Sequence, residues 1–585
     1  AMAYVHSEEQ VIGTLATTQD FSFEAVWNND HIDFASGIEV KESPENKAVI
    51  GGELVFENNE SILRFNTSDF QALDQRWYLA TDNQISISEG TFDFKSVTLY
   101  NGQQSITING EISPDSSKVL LVEFNRFQVN NLNPILKYKV FGELNANIEF
   151  RDLYGEPRIN SGLNIDEFQV GRFLVGDISG KSFWNHLEKY FDVSLNAIQD
   201  QQEIVAINGV YVPKVEEQLN LVAKLDQANL HLIEPFVEKT FSALEGQIHG
   251  DIRISGSTLH PKLNGSIDID GGQFKVNYLN TIYDYQGSVQ FTDNAIMVSE
   301  GELMDQNGNV ATINGGLLHQ GFKNLELDLS GDLSNFQVLN TVNEKGSLYY
   351  GTAIVSGDIN FAGPLGNFRV KASAISEKGS RIFIPINEDS DVEAKEYINF
   401  VSFSDTVQLG DEETGIKKIA SAGINLDFDL DITPDAYIEI IFDLQAGDII
   451  RGRGSGHLNM LIDTEGDFNM FGDYVIEEGG YNFTLYNIIN KEFNILPTSR
   501  ISWYGDPYEG ILDIEATYEQ TADVSPLFSD GSESISRGRY PTIVQLNLEG
   551  PLLSPEIDFD IYLAANQTVD PEITQVIQEI KNDEQ

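Results

Sequence analysis

Between Ile424 and Thr433 the chain reads INLDFDLDIT, in which Ile424, Leu426, Phe428, Leu430 and Ile432 alternate with Asn425, Asp427, Asp429, Asp431 and Thr433. A period of two is that of an extended strand, whose side chains point to opposite faces in turn. One face is then aliphatic and aromatic and the other nearly all acid, so the segment folds only where one side is dry and the other wet. The same alternation recurs at Leu325, Leu327 and Leu329, at Leu512, Ile514, Ala516 and Tyr518, and at Ile557, Phe559 and Ile561. Such strands predict antiparallel sheet with one solvated face, because buried parallel strands read as unbroken Val, Ile and Leu runs.

Turn chemistry points the same way. Asn109-Gly110, Asn208-Gly209, Asn307-Gly308 and Asn314-Gly315 have the composition of type I′ hairpin turns. Three of them belong to a recurring Ile-Asn-Gly, with asparagines spaced by 99 and 106 residues (109, 208, 314). After each come a strand and a short break: LLVEFNRFQVNNLNPIL, LNLVAKLDQANLHLIEPFV and LELDLSGDLSNFQVLNTV. A beat this long implies many strands per unit and an array of stacked antiparallel sheets. Helix signals are few. Asp570 as N-cap, Pro571 in the first turn, and Ile573, Val576, Ile577 and Ile580 on one face predict a terminal helix, and a short one is expected around 182–190. The stretches 387–397, 409–418 and 521–541 read as loops or insertions.

Composition excludes some functions. With 36 Lys and Arg against 91 Asp and Glu, the net charge is −55, which repels nucleic acid and anionic membrane surfaces. The same charge keeps a sheet-rich chain from edge-to-edge association. No cysteine is present, so disulfides, thiolate nucleophiles and zinc-thiolate sites are excluded. The sequence has no apolar run long enough for a membrane-spanning helix, and its start is not a signal peptide.

Motifs for catalysis or cofactors are missing too. The eight histidines lack ligand spacing, and no nucleophile elbow, P-loop or dinucleotide fingerprint occurs. Asp305 to Val310 (DQNGNV) resembles the opening of a calcium loop, but Val310 stands where that loop requires glycine, so a turn is expected. Asp389, Asp391 and Glu393 read as a solvated loop rather than a cation site. Arg451 and Arg453 are either a headgroup contact or exposed arginines at a Gly-rich strand start. The reading is therefore of a non-enzyme with no cofactor and no metal. What remains is the apolar face, which must be covered by another layer, by its own curled other half, or by a ligand. Periodicity alone leaves open a closed β-sandwich array and a partly open trough.

Five motifs in order, AYIEIIFDLQAGDIIRGRGSGHLNM, GDFNMFGDYVIEEGGYNF, KEFNI, ISWYGDPYEGILDIEATY and VQLNLEGPLLSPEIDFDI, run across residues 436–561. They resemble the C-terminal domain of the TamB family, and the glycine-punctuated repeats upstream are similar to the wider AsmA-like group. The resemblance implies an all-β, elongated, repeating antiparallel β-groove, curled like a taco around a hydrophobic interior. It divides the chain into an array over 1–420, a TamB-type β domain over 421–565 and a terminal helix over 566–585. It further implies a periplasmic protein tethered to the inner membrane through an N-terminal anchor that this chain lacks, and a partner of the TamA/BamA outer-membrane barrel type. The chain looks cut at both ends relative to that family.

Two activities follow from the resemblance: carrying phospholipid between the membranes, and helping the barrel partner insert outer-membrane proteins. For the first, the expected inward, lipid-binding set is Phe428, Leu430, Leu458, Met460, Tyr481, Phe483, Phe493, Ile495, Ile501, Trp503, Leu512, Ile514, Leu546, Leu548 and Phe559, with Asp427, Asp429 and Asp431 facing water. For the second, strand edges or the terminal-helix residues Ile573, Val576, Ile577 and Ile580 would dock the partner by β-augmentation or helix packing. A structural, adhesin-like sandwich array is the third reading.

Overall fold

The computed structural model describes residues 1–12, 16–41, 43–57, 59–73, 75–136, 138–238, 240–344, 349–385, 424–443, 448–463, 467–485, 489–523, 539–563 and Gln575. Among them are 34 strands and four short helical elements, so the chain is all-β. It forms two units. Unit one comprises Ala1–Glu238, Leu244–Gly272 and Val289–Asn294; unit two comprises Lys239–Ala243, Gln273–Ser288 and Ala295–Gln585.

In unit one each strand pairs antiparallel with the next from Met2–Ile12 through to Phe241–Gly256. Gln75–Leu79 and Gln84–Ser88 share one place between Glu60–Ala72 and Thr91–Asn101. The expected helix near 182–190 is not formed. Strand Phe173–Asn185 turns there into Tyr190–Gln199, and Trp184 lies opposite Phe191 with ring centroids 4.7 Å apart. Cross-strand aromatic packing of this kind outweighs weak local helix preference.

From Ala295 onward unit two also starts as a meander, Ala295–Asp305, Val310–Gln320, Lys323–Thr341 and Tyr350–Pro364. It then departs from that rule. Phe368–Ser376 pairs in parallel with Ile424–Ile432, and Arg381–Pro385 in parallel with Tyr437–Asp443. Parallel neighbours need a long connection, and residues 386–423 lie between them in sequence. Both later strands pair antiparallel with Asp448–Ile462, and antiparallel order continues to Glu556–Leu563.

Of the four expected Asn-Gly hairpins, only Asn307-Gly308 lies in a turn. Gly110 sits inside strand Gln104–Ile112, opposite Leu120, with φ at 104°, and a Cβ there would lie 2.1 Å from the Val119 carbonyl oxygen. Gly209 and Gly315 repeat this mid-strand placement, against the carbonyls of Asn220 and Asp328. The glycine therefore permits a close approach of neighbouring strands rather than a chain reversal.

The repeat has a second physical element. On the strand after each Ile-Asn-Gly strand, a residue adopts positive φ: Arg126, Gln227 and Asn335. Each backbone N–H donates to a side chain on the following strand, Asn145 Oδ1 at 2.9 Å, His249 Nδ1 at 3.4 Å and Ser356 Oγ at 2.9 Å. The next residue, Phe127, Ala228 or Phe336, is buried, and the register shifts there. The long beat is thus a beat of backbone bulges, which bend a sheet and re-aim its side chains.

Candidate functional site

The register of unit one aligns one residue from each of eleven strands into a single row: Leu79, Leu99, Ile106, Phe124, Ala146, Leu163, Gly180, Leu195, Ile207, Ala223 and Ile252. All eleven are apolar or glycine. At the 4.8 Å spacing of neighbouring strands, the row runs about 48 Å. Leu99, Ile106, Phe124, Leu163, Leu195 and Ile207 are only half-buried. A Leu or Ile side chain gains about 1.5–3 kcal/mol from full burial, so each of these rungs retains on the order of 1 kcal/mol that an apolar ligand would realise.

The row one residue away lies on the other face and reads Thr98, Thr107, Glu123, Asn147, Gly162, Lys181, Ser194 and Asn208. Apart from Gly162, every member is polar. Sequence reasoning confined its inward set to the C-terminal residues and missed the upstream row. The alternation in SITINGEI and DVSLNAI carries the signal, but which rungs align is a property of register.

The expected C-terminal set divides in two. Leu458, Tyr481, Phe483, Phe493, Ile495, Ile501, Trp503, Leu512, Ile514, Leu546 and Leu548 join one buried core, with Met460 packed against it. Ile501 and Leu546 have no exposed surface. Phe428 and Leu430 are half-buried; Phe428 lies opposite Ala372 and Met460, and Leu430 opposite Ala374 and Leu458. Phe559 is 37% exposed yet packs on Phe483 and Phe493. The eleven core residues are shielded from solvent in this conformation, whereas Phe428, Leu430 and Phe559 offer apolar surface. Ile573, Val576, Ile577 and Ile580 lie outside the described residues, as do Asp389, Asp391 and Glu393 and the loops 387–397 and 409–418.

Polar features of unit two are explained locally. Asp431 is exposed, while Asp427 and Asp429 are half-buried. His457 sits between two of these acids, with Nδ1 2.8 Å from Asp431 and Nε2 3.0 Å from Asp429. The Asp431 hydrogen bond, then the Asp429 charge, raise its pKa. Arg451 pairs with Glu492, and Arg453 donates to the Pro434 and Asp435 carbonyls, so both have protein partners. The DQNGNV segment is a turn. Asp305 accepts from the N–H groups of Asn307, Asn309 and Gln337 at 2.8–3.0 Å. Burial opposes its ionisation, but these donors outweigh burial and lower its pKa. Among the described residues no cluster of metal-ligating side chains occurs, and no helix is long and apolar enough to cross a membrane.

Most of the strands that carry the apolar row of unit one, and the buried core of unit two, fall within a region that a known domain family matches. The family profile described as the TamB C-terminal domain matches residues 95–297 and 300–575. The chain belongs to the TamB family. The match takes in most of the apolar row of unit one as well as the buried core of unit two. A search of curated proteins found no match. TamB proteins belong to the cell envelope and are not known as enzymes; their role lies in outer-membrane assembly or lipid transport, in partnership with outer-membrane proteins of the TamA type.

Proposed function

We propose that this TamB chain is a non-enzymatic conduit that carries phospholipid acyl chains through the periplasm between the inner and outer membranes. The observation that supports this reading is the apolar row from Leu79 to Ile252, in which Leu99, Ile106, Phe124, Leu163, Leu195 and Ile207 are half-buried. Extracting two acyl chains into water costs on the order of 25 kcal/mol, at about 0.8 kcal/mol for each of roughly 30 methylenes. A barrier of that size allows about one event in several days. An apolar row replaces it with steps between neighbouring rungs, each about one strand spacing long, and requires no catalytic residue.

The test is photo-crosslinking in cells, with a photoreactive residue at Leu195, at its outward neighbour Ser194 and at the sealed core position Leu512. Phospholipid adducts are expected at 195 and absent from 194 and 512. With further probes at Leu163 and Phe428, a folded protein that gives no lipid adduct at 195, 163 or 428 would rule the conduit out.

A second reading has its own support. Strand Glu556–Leu563 pairs with Arg539–Pro551, and its Ile557 and Ile561 expose apolar surface. An exposed apolar strand face of this kind suits docking of a TamA-type barrel partner. Ile557→Asp would abolish partner capture while leaving lipid adducts at 195; unchanged capture would exclude this face.

A further inference from the structure

The polar face of unit one contains a trough of about 750 Å³, placed back to back with the apolar row. Along it, Asn145, Asn164, Ser179 and Asn196 align across four neighbouring strands. In the adjoining row, Gly162 lies between Asn147 and Lys181. Gly162 contributes no side chain, so the Asn147 amide oxygen packs over it, 2.9 Å from where a Cβ would lie. Asn145 Oδ1 already accepts from the Arg126 N–H, which leaves its amide N–H groups as donors.

The trough is unusual for this chain in its charge. Glu123 is the only acid among its sixteen lining residues and Lys181 the only base, whereas the whole chain holds 91 acids. A cation or basic peptide would find no carboxylate cluster, and an anion would find a single lysine. An added β-strand has no place either, since the strands that form the floor are paired along both edges. What the amide and hydroxyl groups match is a neutral ligand that both donates and accepts many hydrogen bonds.

We infer that this trough binds an uncharged oligosaccharide bearing hydroxyl and acetamido groups. The site lies on the face opposite the apolar row, because Gly162 and Asn164 flank Leu163 and point away from it. A glycan would therefore be held without obstructing the row, and the inference stands whether or not that row carries lipid.

The experiment is calorimetric titration of the 585-residue chain with chitohexaose, alongside Gly162→Leu, which fills the floor, and Asn164→Ala, which removes one exposed amide. The wild type is expected to bind saturably, Gly162→Leu about tenfold more weakly and Asn164→Ala about threefold more weakly. Thermal unfolding of both variants should match the wild type, and if Gly162→Leu misfolds, Asn164→Ala alone decides. No saturable binding by the wild type, or full binding by a well-folded variant, would overturn the inference.

Discussion

The rings of Phe483 and Phe559 lie 5.5 Å apart between centroids and are inclined at 68°, although their strands are not paired with one another among the described residues. The strand of Phe483 pairs with Asp448–Ile462, Ile489–Ile495 and Arg500–Gly505, and that of Phe559 with Arg539–Pro551. The contact thus crosses the interior of unit two instead of following a ladder, and Phe493, 6.3 Å from Phe559, completes the cluster.

This relationship separates two kinds of core substitution. Phe559→Ala should cost about 1 kcal/mol, because the residue is partly exposed and loses mainly its edge-to-face ring contacts. Leu546→Ala, at a position with no exposed surface, should cost about 2–5 kcal/mol. Chemical denaturation of the two variants measures both; equal losses would mean that Phe559 is as fully enclosed as Leu546.

Mid-strand glycines should be intolerant where loop glycines are not. Gly315→Ala would place a Cβ 2.0 Å from the Asp328 carbonyl oxygen at a φ of 107°, and should destabilise by about 1–3 kcal/mol. Gly366→Ala, with open space around it, should be near neutral. The melting temperatures of the pair report the contrast.

Charge placed in the apolar row should stop lipid passage with little loss of structure. Leu195→Asp is expected to lower phospholipid adducts at position 163 by at least about tenfold, because an uncompensated carboxylate is costly beside acyl chains. Ser194→Asp, on the wet face, should leave them unchanged. Phe428→Asp makes the same test in unit two; cooperative unfolding of that variant would instead assign Phe428 a packing role.

His457 should titrate above its ordinary value, through the Asp431 hydrogen bond and the Asp429 charge. A raised folded-state pKa means that the protonated ring stabilises the fold fully below the unfolded value of about 6.5, and that this contribution fades as pH rises through the folded-state value. NMR titration of the ring checks the direction, and Asp431→Asn should move its pKa back toward the ordinary value. Addition of salt should weaken the shift, since the group is exposed.

Much of this architecture is legible in one dimension. The alternation from Ile424 to Thr433 determines by itself that the chain is strand with one dry face, because side-chain direction in an extended backbone depends only on parity. The acidic excess, the absence of cysteine and the five ordered motifs at 436–561 likewise needed no coordinates. The repeat was legible as a period, but its meaning was not: Asn109-Gly110 has the composition of a hairpin turn and lies mid-strand, because the demand on Gly110 comes from Val119 on a neighbouring strand. Trp184 and Phe191 likewise pair across strands where local pattern suggested a helical turn.

The candidate site shows the same division. Parity placed Leu512, Ile514, Leu546 and Leu548 on one face, and all four are buried, but parity could not distinguish a face enclosed by the chain itself from one left partly open. That distinction depends on register and on contacts such as Phe483 to Phe559, both set between residues distant in sequence. The sequence by itself determined which side chains avoid water. Only the tertiary structure decided that Leu546 is sealed while Leu195 remains half-open, because enclosure depends on what packs opposite a side chain, and that partner is chosen by strand pairing and bulges.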